Sequence, residues 1–337
     1  MKLKRIMYFC YYLKKLNRPL FKKFLKYIQE QTGRSKMSIY WDIFKHSMKY
    51  NTSILEYFQF HFYEIPEAEK DTWAGTGYMY EYQKKMNPPK YRALLEDKTV
   101  FDKDYKKFII HDVESLEDLK ADIKKAEEVL ANKSGKIVFK IKDGGCGKRV
   151  LVKECKEFTP QSMIDFMAKE EYDLVEAFIV QHPIINEIAP TAVNTCRIIT
   201  QLDKNDNVVI LGCRLRVSVS GYVDNLAAGN IAVPIDTETG VINGVGVYSD
   251  ITKSDTEIHP VTKKPLVGVQ IPYWKEAIAM AKEAAQVNTV NRAVGWDIAI
   301  TTEGPDLIEG NREWCKLLFQ LPAKQGLKPL LNKYLNE

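Results

Sequence analysis

Asp297, Glu309 and Asn311 are the residues whose types and spacing point most directly to chemistry. They lie in Gly295-Trp-Asp-Ile-Ala-Ile-Thr-Thr-Glu-Gly-Pro-Asp-Leu-Ile-Glu-Gly-Asn311, where two strand-like runs flank a tight polar turn at Glu303-Gly304-Pro305-Asp306. Side chains alternate along a strand, so Glu309 and Asn311 share a face on which Asp297 converges from the neighbouring strand. Two carboxylates and an amide oxygen form a hard-oxygen site that suits magnesium bridging nucleotide phosphates. A solvent-facing polar hairpin would not explain the acids beside Ile298, Ile300, Leu307 and Ile308, whose burial would make an unpartnered charge costly.

A second stretch, Val138-Phe-Lys-Ile-Lys-Asp-Gly-Gly-Cys-Gly-Lys-Arg-Val150, sets a glycine-rich turn between two strands. Its backbone N–H groups could approach phosphate oxygens while Lys140 neutralises them. It is neither a P-loop nor a G-x-G-x-x-G motif, and becomes specific only together with the acidic hairpin. Cys146 reads as a small filler in that turn rather than a covalent catalyst. Arg214 and Arg216 share a strand face and could line a cleft holding a carboxylate or phosphate, both of which suit their planar forks. Tyr222-Val-Asp-Asn225 is either a loop over that cleft or a plain turn.

The elements that must position these groups begin after Asp97-Lys98. Ser115-Leu-Glu-Asp118 reads as the capped start of a helix to about residue 132. Strands follow over 136–142, 149–153 and 173–179, with a helix from Thr159-Pro160 between the last two. Further strands read at 196–202, 207–217 and around 241–248, then a helix from Pro272 to about Gln286 and strands at 293–301 and 306–309. Residues 1–95 are helical and aromatic-rich, a cap or acceptor-specific region broken near Thr32-Gly33, Gly75-Thr76-Gly77 and Asn87-Pro88-Pro89.

At 337 residues, 45% hydrophobic and 28% charged, the chain has an ordinary globular composition. It has no apolar run near the roughly 20 residues of a membrane-spanning helix. Six scattered cysteines without C-x-x-C spacing suit a reducing cytosol. His46, His61, His111, His182 and His259 are too dispersed for a local metal cluster and read mostly as structural or surface residues. The formal charge of +5 is uneven, for Lys2, Lys4, Arg5, Lys14, Lys15, Arg18, Lys22, Lys23 and Lys26 all precede the first acid, Glu30, interleaved with apolar side chains. That segment could lie on an anionic membrane surface or pack as an ordinary amphipathic helix; nucleic-acid binding ranks last, since no fold motif accompanies it.

From about Asp97 to Phe319 the chain resembles the ATP-grasp superfamily, and within it the sugar-transfer-associated proteins found with bacterial surface-polysaccharide genes. The resemblance implies an α+β fold of two lobes sandwiching ATP, here over residues 96–180 and 181–337 behind the helical region 1–95. It implies ATP contacts from Lys98 and Lys140, a phosphate-covering loop at Gly144, Gly145 and Gly147, and an adenine-reading hinge strand at Glu176, Ala177, Phe178 and Ile179. Asp297, Glu309 and Asn311 match its magnesium triad. Gln181-His182-Pro183, Asn194-Thr195-Cys-Arg197, Asp224-Asn225 and Gly295-Trp296-Asp297 resemble the sugar-associated group, with Asp224 and Asn225 as substrate contacts. Gly295 stands where peptide-forming relatives carry an arginine, so the transition-state cation must come from elsewhere, with Arg197, Arg214, Arg216 and Arg292 as the candidates and salt bridging on exposed strands as their alternative role.

The expected activity is that of an ATP-dependent carboxylate–amine ligase working through an acylphosphate on a sugar or sugar-linked substrate in surface-polysaccharide synthesis. Its expected setting is the cytoplasm, with the inner membrane face as the place of any peripheral contact. A phosphotransferase using the same cleft, or a non-catalytic nucleotide-binding scaffold of polysaccharide assembly, is the alternative.

Overall fold

Asn17, Ser35, Asp97, Ser115, Asp122 and Thr159 each open a helix by accepting a hydrogen bond from a first-turn N–H, as short polar N-cap side chains do. The computed structural model describes residues 2–141, 149–221 and 223–336. Its N-terminal region comprises α1 (Lys2–Lys14), α2 (Arg18–Thr32), α3 (Lys36–Tyr50), α4 (Glu56–Gln59), α5 (Glu67–Lys70), α6 (Thr76–Met86) and α7 (Ala93–Glu96). Gly33 and Asn51 end α2 and α3 in the left-handed conformation, at φ 66° and 59°.

After α8 (Lys98–Asp104) come β1 (Val113–Ser115), α9 (Leu116–Ala121), α10 (Ile123–Leu130), β2 (Lys136–Lys140), β3 (Leu151–Glu154), α11 (Pro160–Lys169) and β4 (Leu174–Ala177). The strands form an antiparallel sheet in the order β1-β4-β2-β3. Alternation along β2 buries Ile137 and Phe139 with Met163, Met167 and Val175, and turns Lys140 to the other face, which also carries Glu176. The single helix expected over 115–132 is two, because Asp122 leaves the helical conformation at φ −142° and its carboxylate caps α10 through Lys124 N–H.

The second sheet contains β5 (Thr195–Leu202), β6 (Val208–Val217), β7 (Ile231–Ile235), β8 (Ala293–Ile300) and β9 (Pro305–Asn311), antiparallel in the order β7-β6-β5-β8-β9. Around it lie α12 (Pro183–Ile188), α13 (Trp274–Val287), α14 (Lys316–Gln320) and α15 (Lys328–Leu335). The alanine face of α13, Ala277, Ala281, Ala284 and Ala285, packs with Ile198, Leu215 and Val294 under one side of the sheet. β7 was not anticipated from the sequence; its Pro234 lacks a ladder donor, which suits the edge position the strand holds. The strand expected at 241–248 is reduced to single pairings, Ile242 with Ile235 and Val247 with Ala232.

The N-terminal helices share cores with this sheet: Phe24, Ile39 and Phe58 pack with Leu226, Ala232 and Leu318, and Met79, Tyr82 and Met86 with Ile199, Trp314 and Phe319. Glu56 ties the two regions together. Its buried carboxylate accepts from Ser53 N–H at 2.7 Å and Thr76 N–H at 2.9 Å and pairs with Lys316 Nζ at 2.9 Å. Ile199 and Ala293 share a sheet face with Arg197 and Asp297, so that face is apolar under α6 and charged at its other end.

Candidate active site at the charged end of the second sheet

Asp297 on β8 stands opposite Glu309 on β9, and Gly295 opposite Asn311. A register shift after Asp297 pairs Ile298 with Leu307, leaving Ile308 as the extra residue of a bulge that lets Glu309 face Asp297 while Leu307 stays in the core. Asn311 Nδ2 donates to Glu309 Oε1 at 3.1 Å and reaches Asp297 Oδ2 at 3.4 Å. The three candidate metal ligands are therefore together.

Two arginines join them. Arg197, directly across β5–β8 from Asp297, grips both its oxygens, through Nε and through Nη2 at 2.9 Å. Arg216 donates through Nη1 to Asp297 Oδ2 at 2.5 Å and pairs through Nη2 with Asp224 Oδ1 at 2.5 Å. Burial alone would push the Asp297 carboxyl up, but the Arg197 and Arg216 charges hold it well below the usual carboxylate range. Glu309 moves the other way, raised by burial and by the facing Asp297 charge. Asp224 is also raised by burial; its second oxygen accepts from Thr195 N–H at 2.9 Å and Thr195 Oγ1 at 2.7 Å. Asp224 thus braces Arg216, while Asn225, beside it, is half-buried.

Gly295 has a packing reason. A Cβ there would lie 2.8 Å from Trp314 Cβ and 3.0 Å from Arg197 Cδ. The Arg197 side chain fills the space a residue-295 side chain would need, so this position cannot carry an arginine while Arg197 holds Asp297.

The first sheet contributes a second cluster. Lys140 pairs with Glu176, whose carboxyl, despite burial, is held far down by the Lys140, His111 and Lys98 charges. Lys98, at the start of α8, is lowered by burial and by Lys140, and it also feels Glu176 and Glu309, which links the first cluster to the second. Asp102 is pushed up to about 6 by burial and by Glu176. His111 Nδ1 lies 2.8 Å from Asp306 Oδ2, and its Nε2 lies 3.7 Å from Glu176. Burial would lower this histidine, but Asp306 and Glu176 raise it to about 9. The other Asp306 oxygen accepts from Ile110 N–H at 2.9 Å. Sequence reasoning missed these roles for His111, Asp306 and Asp102. The signal available for Asp306 was the one used for Glu309, an acid set into an apolar strand.

The remaining expected residues fall apart from one another. Arg214 is buried without a carboxylate partner among the described residues, donating to the carbonyls of Cys213 at 2.7 Å and Phe319 at 2.6 Å, and burial lowers it to about 10. Its Nε has no hydrogen-bond partner among the described residues, and the side chain lines a cavity of about 530 Å³ with Asp236, Thr237, Asn243 and Lys324. Arg292 lies five residues before Asp297, just ahead of β8, bound to Asp206 Oδ1 at 2.8 Å and to the Asp203 carbonyl, so it stands away from the cluster. In the expected hinge, the N–H groups of Ala177 and Phe178 are taken by the carbonyls of Asp112 and Lys136, and only from Ile179 does the backbone leave the sheet. Gly144, Gly145, Gly147 and Cys146 lie outside the described residues, as does Tyr222.

Among the described residues no group of three or more His, Cys, Asp or Glu forms a metal cluster. The donor set here has two carboxylates and an amide, hard-oxygen chemistry that suits a divalent ion once Asp297 frees an oxygen now held by Arg197 or Arg216. Asn311 would have to turn its amide so that Oδ1 replaces Nδ2.

A family model described as sugar-transfer associated ATP-grasp matches residues 78–336. No curated protein matches the chain. Among solved structures it is similar to the ATP-grasp ligase PsnB complexed with minimal precursor, at 14% identity and a TM-score of 0.43, covering 74% of this chain and 62% of that one. It is also similar to D-alanyl-alanine synthetase A from Vibrio cholerae, at 13% identity, TM-score 0.41 and coverage of 74% and 68%. A third similar structure is the D-cycloserine synthetase DcsG, at 14% identity, TM-score 0.39 and coverage of 73% of each chain. The chain thus spans less than two thirds of the PsnB ligase.

Proposed function

The chain belongs to the sugar-transfer associated ATP-grasp family, and from that premise we propose that it is an ATP- and magnesium-dependent carboxylate–amine ligase acting on a sugar or sugar-linked substrate in bacterial capsule or other surface-polysaccharide synthesis. A substrate carboxylate attacks the γ-phosphate of ATP, giving an acylphosphate and ADP; an amine then displaces phosphate and leaves an amide. Either a sugar carboxylate is amidated by an amino acid or simple amine, or an amino sugar is acylated by an amino acid.

The observation that carries this reading is the facing pair Asp297 and Glu309, with Arg197 and Arg216 on the first acid and the Lys140–Glu176 pair on the other sheet. Such a site works by positioning and charge neutralisation and needs no side-chain nucleophile. Lys98 and Lys140 would neutralise phosphate oxygens, and Glu176 with the segment from Ile179 would hold the nucleoside. Asp297, Glu309 and Asn311 would hold magnesium, which when bound screens the phosphate charge. Arg197 and Arg216 are the cations nearest the metal ligands, which favours them over Arg214 and Arg292 for stabilising the transferred group. The protein would act in the cytoplasm at the inner membrane face, where lipid-linked glycans are assembled.

ADP release across a matrix of uronic acids, amino sugars, amino acids and simple amines tests the reading. Release that requires one acid and one amine together supports a ligase. A stable phosphorylated product without amine would make the protein a phosphotransferase, and no release with any pair would leave a nucleotide-binding scaffold.

A further inference from the structure

The N-terminal basic segment is half buried and half bare. α1 runs antiparallel against α3: Arg5 Nη1 donates to the carbonyls of Met48 at 3.2 Å and Lys49 at 3.1 Å, the Phe9 and Phe44 rings meet at 5.3 Å, and Tyr12 is buried. The far side of α1 leaves Leu3 73% and Met7 66% exposed, with Ile6, Tyr11 and Leu13 beside them. That is a helical stripe turned away from the protein's own core. α3 repeats the pattern. It buries Ile39, Ile43 and Tyr50 inward, while Met37 at 74%, Trp41 at 59%, Tyr40 and Phe44 stand exposed at i, i+3, i+4 and i+7 spacing. Two packed helices therefore each present an exposed apolar stripe, a surface that a soluble protein seldom leaves uncovered without a partner.

Charge selects the partner. Lys14, Lys15, Arg18, Lys22 and Lys36 are exposed and make no ion pair among the described residues, whereas Lys4, Lys23 and Lys26 pair with Glu81, Asp250 and Glu30. The antiparallel packing of α1 on α3 brings Lys14 and Lys15 toward Lys36, at one end of the stripes. α1 carries no acid and Asp42 of α3 is already paired with Arg34, so a second copy docked on the same face would bring these cations no counter-charge. A surface with apolar depth and anionic phosphates accommodates both features, and exposed Trp and Tyr suit its interfacial layer. No helix among the described residues is long and apolar enough to cross a membrane, so contact would be parallel to the surface.

We propose that α1 and α3 together form a docking face that lays this protein on a bilayer rich in anionic lipid, with both apolar stripes below the headgroups and Lys14, Lys15, Arg18 and Lys36 at the lipid phosphates. The inference rests on the proposed place of action at the inner membrane face, but not on the ligase chemistry. The test is therefore read without turnover. The full chain is mixed with vesicles of phosphatidylglycerol and phosphatidylcholine, or of phosphatidylcholine alone, and the bound fraction is measured by flotation. Trp41 is exposed whereas Trp73, Trp274, Trp296 and Trp314 are buried, so its fluorescence should be quenched selectively by brominated acyl chains.

Binding should require the anionic lipid and weaken with salt. At about fivefold per lysine, Lys14→Ser with Lys15→Ser should lower the partition coefficient about 25-fold. Met7→Ser with Trp41→Ser should abolish flotation with the anionic vesicles, and circular dichroism would show both doubles folded. ADP release on a soluble acceptor should be unchanged in each. Equal binding to neutral vesicles, quenching by neither lipid, or self-association that the Met7 and Trp41 changes abolish would each overturn the proposal, the last in favour of a second copy. Failure of turnover with intact vesicle binding would reject the ligase reading alone.

Discussion

Asp297 and Glu309 face each other across the β8–β9 ladder, yet only Asp297 is saturated by guanidinium groups. Glu309 has Asn311 as its partner and is raised by burial and by Asp297. The asymmetry separates two effects of mutation. Glu309→Gln removes a charge that repels its neighbour, so melting temperature should hold or rise while magnesium-dependent ADP release disappears. Asp297→Asn also ends turnover, but it leaves the buried guanidinium of Arg197 without a carboxylate and Arg216 with Asp224 alone, at a cost of about 3–5 kcal/mol. Magnesium titration of ADP release, run with thermal melts, checks both; full activity of either variant at low magnesium would remove the metal assignment.

Lys140→Ala tests the phosphate role. Lys140 shares a sheet face with Glu176, so its removal deletes a cation and leaves that buried acid with His111 at 3.7 Å. The KM for ATP should rise and turnover fall, together by roughly tenfold or more, the equivalent of a charge-assisted hydrogen bond of about 1.5–3 kcal/mol. Steady-state kinetics decide. A neutral Lys140→Ala beside an inactive Lys142→Ala would move the phosphate contact two residues along the chain.

The strands that carry the site were legible because their residues alternate or run apolar between polar turns, and β5, β6, β8 and β9 fall within two residues of where the sequence puts them. β7 was not, since Pro234 argues against a strand everywhere except at an edge, and edge position is a property of the finished sheet. Asp297, Glu309, Asn311 and Lys140 could be named from local pattern. Choosing Arg197 and Arg216 over Arg214 and Arg292 could not, because the choice depends on ladder register between strands 100 residues apart. His111 was invisible for the same reason: its partner Asp306 is 195 residues away, on the other sheet.

That contact predicts a pH dependence. His111 is raised to about 9 in the folded protein by Asp306 and Glu176, against an unfolded value near 6.5. The folded state binds the proton more tightly, so the stabilisation is fully present below about pH 6.5 and is lost as pH climbs through about 9. The limit of the effect is on the order of 3 kcal/mol. Urea unfolding at pH 6 and pH 9.5 should show falling stability in the native sequence and a flatter profile in His111→Gln. An equal slope in both would mean that the histidine titrates outside this cluster.

Gly295 gives a prediction that joins packing to catalysis. An alanine Cβ there meets Trp314 Cβ at 2.8 Å and Arg197 Cδ at 3.0 Å. Trp314 Cβ is fixed by its backbone and by indole packing on Phe319, so Arg197 is the neighbour that must yield. Moving it breaks a two-point grip on Asp297, and over-packing of this kind costs about 1–3 kcal/mol. Gly295→Ala should therefore lower melting temperature and reduce kcat more than it raises KM for ATP, because the nucleotide contacts assigned to Lys98 and Lys140 lie on other elements. Gly295→Arg, the residue expected of peptide-forming relatives, should be worse. The double variant Gly295→Arg with Arg197→Gly should recover stability relative to Gly295→Arg alone, since it returns the space the new side chain needs. If Gly295→Arg alone melts like the native protein, Arg197 does not occupy that space, and the cation on Asp297 could come from either strand.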